Sequence, residues 1–417
     1  MGAGHALPDG RATANDEIFR DMINSRRFHL KIMKTKARTL VFFLTLLAVF
    51  APAACRRSNT LQPANAGSAS TSEQPAGGAA QTGDKFYFRG TISGNLSIEM
   101  TLVRDGERIS GSYFYPKVGK NIDLKGSVDK SGNVELRESD ESGKDTGIFK
   151  GLWKLSSYEP GLDLNDIEGK WSRPDGSKVT DFLVFQQPIE FTGAARVIPK
   201  VIKEVNKQKY YTIDAQYPQI EADARFAKFN QEARGLITKD VAAFKTAETA
   251  QENDLGTELP AEAQDSTLSN GYDFRLATDD LISVAFAEST YSRGAAHPNS
   301  LTTVLNYDVK NGKRLMLADL FKPKANYLNV IASYCMKQLT ERAKNDDDML
   351  SHDSIETGAS ARAENYNAWA ITKKGLWITF DPYQVAAYAA GPQHVLVPYS
   401  AMKDIIKPDG PIAVLAK

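Results

Sequence analysis

Between residues 85 and 188 apolar and polar side chains alternate at a period of two, which excludes a helical region. Leu96, Ile98, Met100 and Leu102 share one side, with Ser97, Glu99 and Thr101 on the other. Such alternation belongs to strands with one face in a core and one in water. Ile122, Leu124 and Val128 repeat it, as do Val134 and Leu136. Turn residues separate the runs at Arg104-Asp105-Gly106, Asp129-Lys130-Ser131-Gly132, Glu141-Ser142-Gly143 and Pro174-Asp175-Gly176. The spacing predicts about eight strands. Gly90, Gly111, Gly126, Gly151 and Gly169 sit inside or beside apolar pairs, where strand glycines mark bulges or tight bends. A small antiparallel barrel or meander follows, over residues 85–190.

A different pattern starts near Arg196. Tyr210–Tyr217 reads as a strand leading to a helix at about Gln219–Lys245, with Phe226, Phe229, Ala233, Leu236, Ile237 and Phe244 on its apolar face. Thr246–Leu268 is polar and reads as a loop. Tyr272–Phe286 and Thr302–Val309 read as strands, and Ala325–Arg342 as a helix carrying Leu328, Ile331, Cys335 and Leu339. Short strands near Trp369–Ile371, Leu376–Phe380 and Val395–Pro398 and a helix at Ser400–Ile406 complete an α+β domain over residues 196–410. The fold class is multidomain, an all-β unit followed by an α+β unit.

The first 84 residues concern address. Lys31, Lys34, Lys36 and Arg38 precede the apolar run Thr39–Phe50, and small residues lead to Cys55. This is the plan of an export signal, so residues 1–54 read as leader; residues 1–32 read either as lying upstream of a true start at Met33 or as a short cytoplasmic segment. At roughly 18–24 Å as a helix, the run is short for a bilayer core of about 30 Å. Two processing readings stand: acylation of Cys55 as a lipoprotein, or cleavage after Ala53. Residues 55–84, rich in Ser, Ala, Gly, Gln and Pro, read as a flexible tether of roughly 30 Å reach. The expected address is the cell envelope, as a membrane-anchored lipoprotein or a periplasmic or secreted protein.

Charge narrows the partners. The chain balances 51 basic against 51 acidic residues, and loss of residues 1–54 removes eight and four of these, leaving a net −4. No basic excess is available for gripping nucleic-acid phosphates.

The most distinctive strings lie in the second region. They are Tyr291-Ser292-Arg293-Gly294-Ala295-Ala296-His297-Pro298-Asn299, Asn306-Tyr307-Asp308, Leu317-Ala318-Asp319-Leu320-Phe321, Phe380-Asp381-Pro382-Tyr383, Tyr388-Ala389-Ala390-Gly391 and Val397-Pro398-Tyr399-Ser400. Together they resemble the RsiV-type extracytoplasmic domain, preceded over about 210–245 by a PdaC-type segment. The resemblance covers 196–406, about half the chain. Family members commonly show two glycines before the Ala-His pair; Ala295 stands at the second. The resemblance implies a lysozyme-sensing domain, or the accessory segments of a peptidoglycan deacetylase, and a binding loop comprising Tyr291, Arg293, Gly294, His297 and Asn299 with Tyr383 and Tyr388.

Deacetylase chemistry of that class implies a metal held by an aspartate and two histidines. Thr379-Phe380-Asp381 superficially resembles the opening of that motif, but Pro382 follows, and no His-x-x-x-His pair occurs. Gly-x-Ser-x-Gly and His-Glu-x-x-His are also missing from the sequence. Asp346-Asp347-Asp348 lacks the glycine and terminal glutamate of a calcium loop. No catalytic residue, metal or cofactor is therefore expected. His297 reads either as a polar contact on a binding loop or as a brace within it. Tyr383 and Tyr388 read either as an exposed aromatic surface or as inward packing, and Cys335 as a small buried hydrophobe.

Three functions follow as expectations. The first is a non-catalytic envelope protein recognising a lysozyme-like protein or peptidoglycan. The second is the sensor of an anti-sigma system. The third is a hydrolase using His297.

Overall fold

The computed structural model describes residues 83–156, 161–250, 265–345 and 349–417. The leader, Cys55, the tether up to Gln81-Thr82 and the Asp346–Asp348 run lie outside these residues.

Eight strands form a closed barrel in chain order: β1 (Asp84–Ile92), β2 (Leu96–Asp105), β3 (Arg108–Phe114), β4 (Ile122–Val128), β5 (Asn133–Ser139), β6 (Asp145–Leu155), β7 (Asn165–Ser172) and β8 (Thr180–Gln187). Each pairs antiparallel with the next, and β8 closes on β1. The inward row is the predicted one: Ile98, Met100, Leu102, Leu124, Val128, Val134 and Leu136 are buried with Phe88, Phe149 and Phe182. The alternation thus becomes the inside and outside of one cylinder, and closure removes every exposed edge from these eight strands.

The glycines are not bulges. Pairing runs through Gly90, Gly111, Gly126, Gly151 and Gly169 without a register shift. Their reason is close backbone approach. A Cβ on Gly111 would lie 2.0 Å from the Thr101 carbonyl oxygen, and one on Gly126 1.9 Å from that of Glu135. The one shift in the barrel falls between Glu138 and Ser139.

The chain leaves the barrel through Pro188 into β9 (Ile189–Glu190), then forms β10 (Arg196–Asn206) and β11 (Tyr211–Glu221). A seven-stranded sheet runs β10-β11-β12-β13-β14-β15, with β12 (Ser266–Thr278), β13 (Leu281–Tyr291), β14 (Asn299–Asp308) and β15 (Lys313–Arg314). β9 joins it as a parallel partner of β12. Pro199 on the edge strand β10 stands directly opposite Pro218. Helix α1 (Ala227–Ala250) covers one face, burying Phe229, Ala233, Ile237 and Phe244 against Ile213, Leu268 and Phe286.

Several elements differ from the sequence reading. The helix begins later, because Gln219–Glu221 continue β11 opposite Arg196–Ile198 and the carboxylate of Asp223 then accepts from the Arg225 N–H at 2.9 Å. It also runs to Ala250, beyond the predicted Lys245. Tyr272–Phe286 is a hairpin rather than one strand, turning at Asp279-Asp280, where the Leu281 N–H bonds Thr278 Oγ1 at 3.0 Å.

On the opposite face lies a three-stranded sheet, β16 (Trp369–Ile371), β17 (Gly375–Phe380) and β18 (Gln393–Pro398), packed with helices α2 (Tyr327–Lys344) and α3 (His352–Gly358). The predicted final helix is a short 3-10 turn at Tyr399–Ala401. A buried polar staple joins the two sheets. The Ser283 hydroxyl donates to Asn306 Oδ1 at 2.6 Å and accepts from the Ile371 N–H at 2.9 Å, while Asn306 Nδ2 donates to the Trp369 carbonyl at 2.8 Å. Satisfied networks of this kind fix one arrangement of packed layers.

Barrel and sheet also meet directly. Arg89 on β1 donates to Glu99 at 2.8 Å and to the Tyr272 carbonyl at 2.6 Å. Gln187 Oε1 accepts from the Phe274 N–H at 3.2 Å, and Tyr87 packs outward into the core beneath α1.

Candidate functional site

The hairpin loop between β13 and β14 carries the most distinctive string of the sequence. β13 ends at Tyr291, paired with Thr267, and β14 starts at Asn299, opposite Thr290. The Ala295 N–H closes a turn onto the Ser292 carbonyl at 2.9 Å, with Gly294 at φ 79°. That left-handed angle suits a residue without a Cβ. Ala295 stays outside the left-handed region, so its methyl is accommodated.

His297 lies beyond the turn, and two side chains from far along the chain meet it. Its ring stacks on Tyr388, centroids 4.0 Å apart and planes 27° from parallel. Tyr383 lies against both, 5.4 Å from Tyr388 and 6.3 Å from His297. Hydrogen bonds fix the group. His297 Nδ1 is 2.8 Å from the Pro298 carbonyl, which can only accept, so Nδ1 carries a proton. In the neutral ring Nε2 is then the acceptor for the Tyr383 hydroxyl at 3.3 Å. Tyr388 donates to the same Pro298 carbonyl at 2.5 Å. Burial, then the neighbouring Tyr383, pushes the Tyr388 hydroxyl above its ordinary range, keeping it a donor.

Tyr383 is 64% exposed and has φ 71°. A bulky residue in that region is a true backbone outlier, and such strain persists only where surroundings impose it. Here they do. Gln384 bonds the Asp381 carbonyl through its N–H at 3.0 Å, and its amide reaches the carbonyls of Gly358 and Asn365 at 2.9 and 3.0 Å. Asp381 Oδ2 accepts from the Thr302 N–H at 3.1 Å, tying the Tyr383 turn to β14. Burial raises the Asp381 carboxyl above the usual carboxylate range, although the Thr302 bond pulls it down. Asp381 stood in the quoted string, but its use as an acceptor for β14 had no sequence signal.

The structure therefore brings together His297, Tyr383 and Tyr388. Arg293 faces elsewhere: its guanidinium lies 5.1 Å from the Tyr210 ring, and its N–H bonds Ser266 Oγ at 3.0 Å. Tyr291 and Asn299 serve as the ends of paired strands. His394 stacks on Trp377 and meets Thr379 Oγ1 at 3.1 Å, and His352 lies 3.6 Å from Glu356. Cys335 is fully buried among aliphatic side chains, and that burial pushes its thiol up to about 12. Among the described residues no group of three or more His, Cys, Asp and Glu side chains could hold a metal ion.

A family model described as Deacetylase PdaC matches residues 204–300, and one described as Protein of unknown function (DUF3298) matches residues 318–400. The aromatic group thus draws His297 from the first matched segment and Tyr383 and Tyr388 from the second. Crystal structures of DUF3298 family proteins resemble this chain at 19% identity (Bacteroides fragilis, 55% of this chain and 99% of that one, TM-score 0.39) and at 16% (Pseudomonas aeruginosa, 52% and 94%, TM-score 0.39). Over 207 residues, 49% of its length, this chain is 25% identical to the peptidoglycan-N-acetylmuramic acid deacetylase PdaC of Bacillus subtilis, and the match spans 40% of that protein.

Proposed function

We propose that this is an exported envelope protein that binds peptidoglycan or a lysozyme-like protein through the His297–Tyr383–Tyr388 platform, without cutting its target. The observation that carries this reading is the strained, exposed Tyr383, held by Asp381 and Gln384 beside two stacked rings. Aromatic faces with hydroxyl and imidazole groups at their edge suit sugar rings and protein hot spots alike. The similarity to a peptidoglycan deacetylase favours the glycan. The bonds made by His297 also favour binding over hydrolysis, since its ring nitrogens meet a carbonyl and a phenol rather than a carboxylate.

The test is binding of the exported chain to purified peptidoglycan and, separately, to lysozyme. Tyr383→Ala or Tyr388→Ala should weaken binding by roughly thirtyfold if either ring is a hot spot worth about 2 kcal/mol. Failure of the unaltered protein to bind either target would sink the proposal. The RsiV-type sensor reading belongs with the lysozyme arm, and it requires an uncleaved N-terminal segment. A form anchored through acylated Cys55, which we propose with this function, instead predicts palmitate labelling that Cys55→Ser abolishes.

A further inference from the structure

The barrel has one end at which β8 leaves for the second domain and an opposite end formed by the close of β1, β3, β5 and β7. Glu138 is the last inward residue of β5 at that opposite end and is 4% exposed. Its Oε2 accepts from the Tyr113 hydroxyl at 2.6 Å and from Trp171 Nε1 at 3.1 Å, and Oε1 accepts from neither. Both donors are neutral, and no Lys, Arg or His among the described residues forms an ion pair with the carboxylate. A desolvated carboxylate without a counter-charge is costly.

The backbone is arranged to keep it there. The barrel's register shift leaves Thr146 of β6 as the extra residue beside Gly147, the residue that faces Glu138. Gly147 stands opposite on β6, where a Cβ would lie 2.5 Å from the carboxyl Oε1 and 2.6 Å from the indole nitrogen. A side chain there would fill the space beside the free oxygen. Tyr113 and Tyr115 meet edge to face at 5.6 Å, and Tyr113 meets Phe149 at 5.5 Å. Tyr115 and Trp171 are half-buried at the same end.

From this geometry we infer that the free end of the barrel binds a primary ammonium group, with Glu138 Oε1 as its acceptor and the rings of Tyr115 and Trp171 beside it. A carboxylate among aromatic rings is suited to an organic cation, which supplies the missing charge while its alkyl part lies on the rings. The two neutral donors on Oε2 orient the carboxylate and leave Oε1 directed at the ligand. This site is independent of the His297 platform.

The experiment titrates the exported protein with n-butylammonium chloride, using n-butanol and sodium chloride as controls, by calorimetry and by NMR of the Trp171 Nε1–H. The ammonium salt should bind saturably and shift that resonance, and neither control should. Glu138→Gln keeps an acceptor for Tyr113 and Trp171 but removes the charge, and it should weaken binding at least tenfold. A carboxylate serving only the fold would leave n-butylammonium without effect beyond sodium chloride, which overturns the inference. Saturable binding that leaves the Trp171 resonance unmoved overturns it as well, whether or not the variant folds.

Discussion

The Arg89 guanidinium lies 3.8 Å from the ring centroid of Tyr272 and donates to the carbonyl of the same residue. One side chain of the barrel is therefore bonded to the sheet of the second domain, while Glu99 holds its other edge. Arg89→Ala leaves Glu99 buried without a partner, which costs about 3–5 kcal/mol. The sequence reading divides the chain near residue 190, yet the unaltered protein should melt in one calorimetric transition. Separate fragments 85–192 and 193–417 should each melt lower than the whole. Two independent transitions in the intact chain would count against this coupling.

Tyr383 offers a separation of stability from binding. Tyr383→Gly relieves a left-handed backbone strain of about 1–3 kcal/mol and removes the ring. The variant should melt no lower than the original and bind peptidoglycan more weakly. A clear drop in melting temperature would instead make the ring a structural brace.

Two glycine-to-alanine changes should have opposite signs. Gly126→Ala drives a Cβ against the Glu135 carbonyl at 1.9 Å, and overpacking of this kind costs about 1–3 kcal/mol. Gly235, inside α1, has open space around it, so Gly235→Ala should gain about 1 kcal/mol from helix propensity. Denaturant melts of both variants check the pair.

Asp381 sets a pH dependence. Its folded carboxyl titrates above the unfolded value, so the folded state holds the proton more tightly. The stability this provides is present in acid and is lost as pH rises through the raised folded value. Asp381→Asn keeps an acceptor for Thr302 and cannot ionise. It should raise the melting temperature at pH 7, and the advantage should vanish once the pH falls below the ordinary carboxylate range.

Cys335 should be inert to maleimide in the folded protein and fully labelled in guanidinium, because burial holds its thiol near 12. Labelling under native conditions would show that α2 opens.

The barrel was legible because a closed sheet turns period two into inside and outside with little interference. The hairpin at Asp279-Asp280 was not, since only Thr278-Asp279-Asp280, with neither Gly nor Pro, separates two flanking runs whose faces are both covered. Arg89 was hidden for a related reason: on an alternating strand it occupies an outward position, which reads as solvent until a second domain covers it. His297, Tyr383 and Tyr388 were found through resemblance of their strings. Their mutual contact, across 86 and 91 positions, is a product of the packed sheets, and Asp381 and Gln384 gained their roles only there.

Directly opposed residues of an antiparallel pair either exchange two hydrogen bonds or none, so Pro199 facing Pro218 belongs to the second kind. The position where Pro199 lacks its N–H therefore points away from β11, toward the open side of β10. At the far side of the same sheet, the Asp381 carboxylate occupies the Thr302 N–H of β14. A strand from a neighbouring molecule thus meets a missing donor at one border and an occupied one at the other. Both borders of the sheet thereby discourage edge-to-edge pairing between copies of the protein.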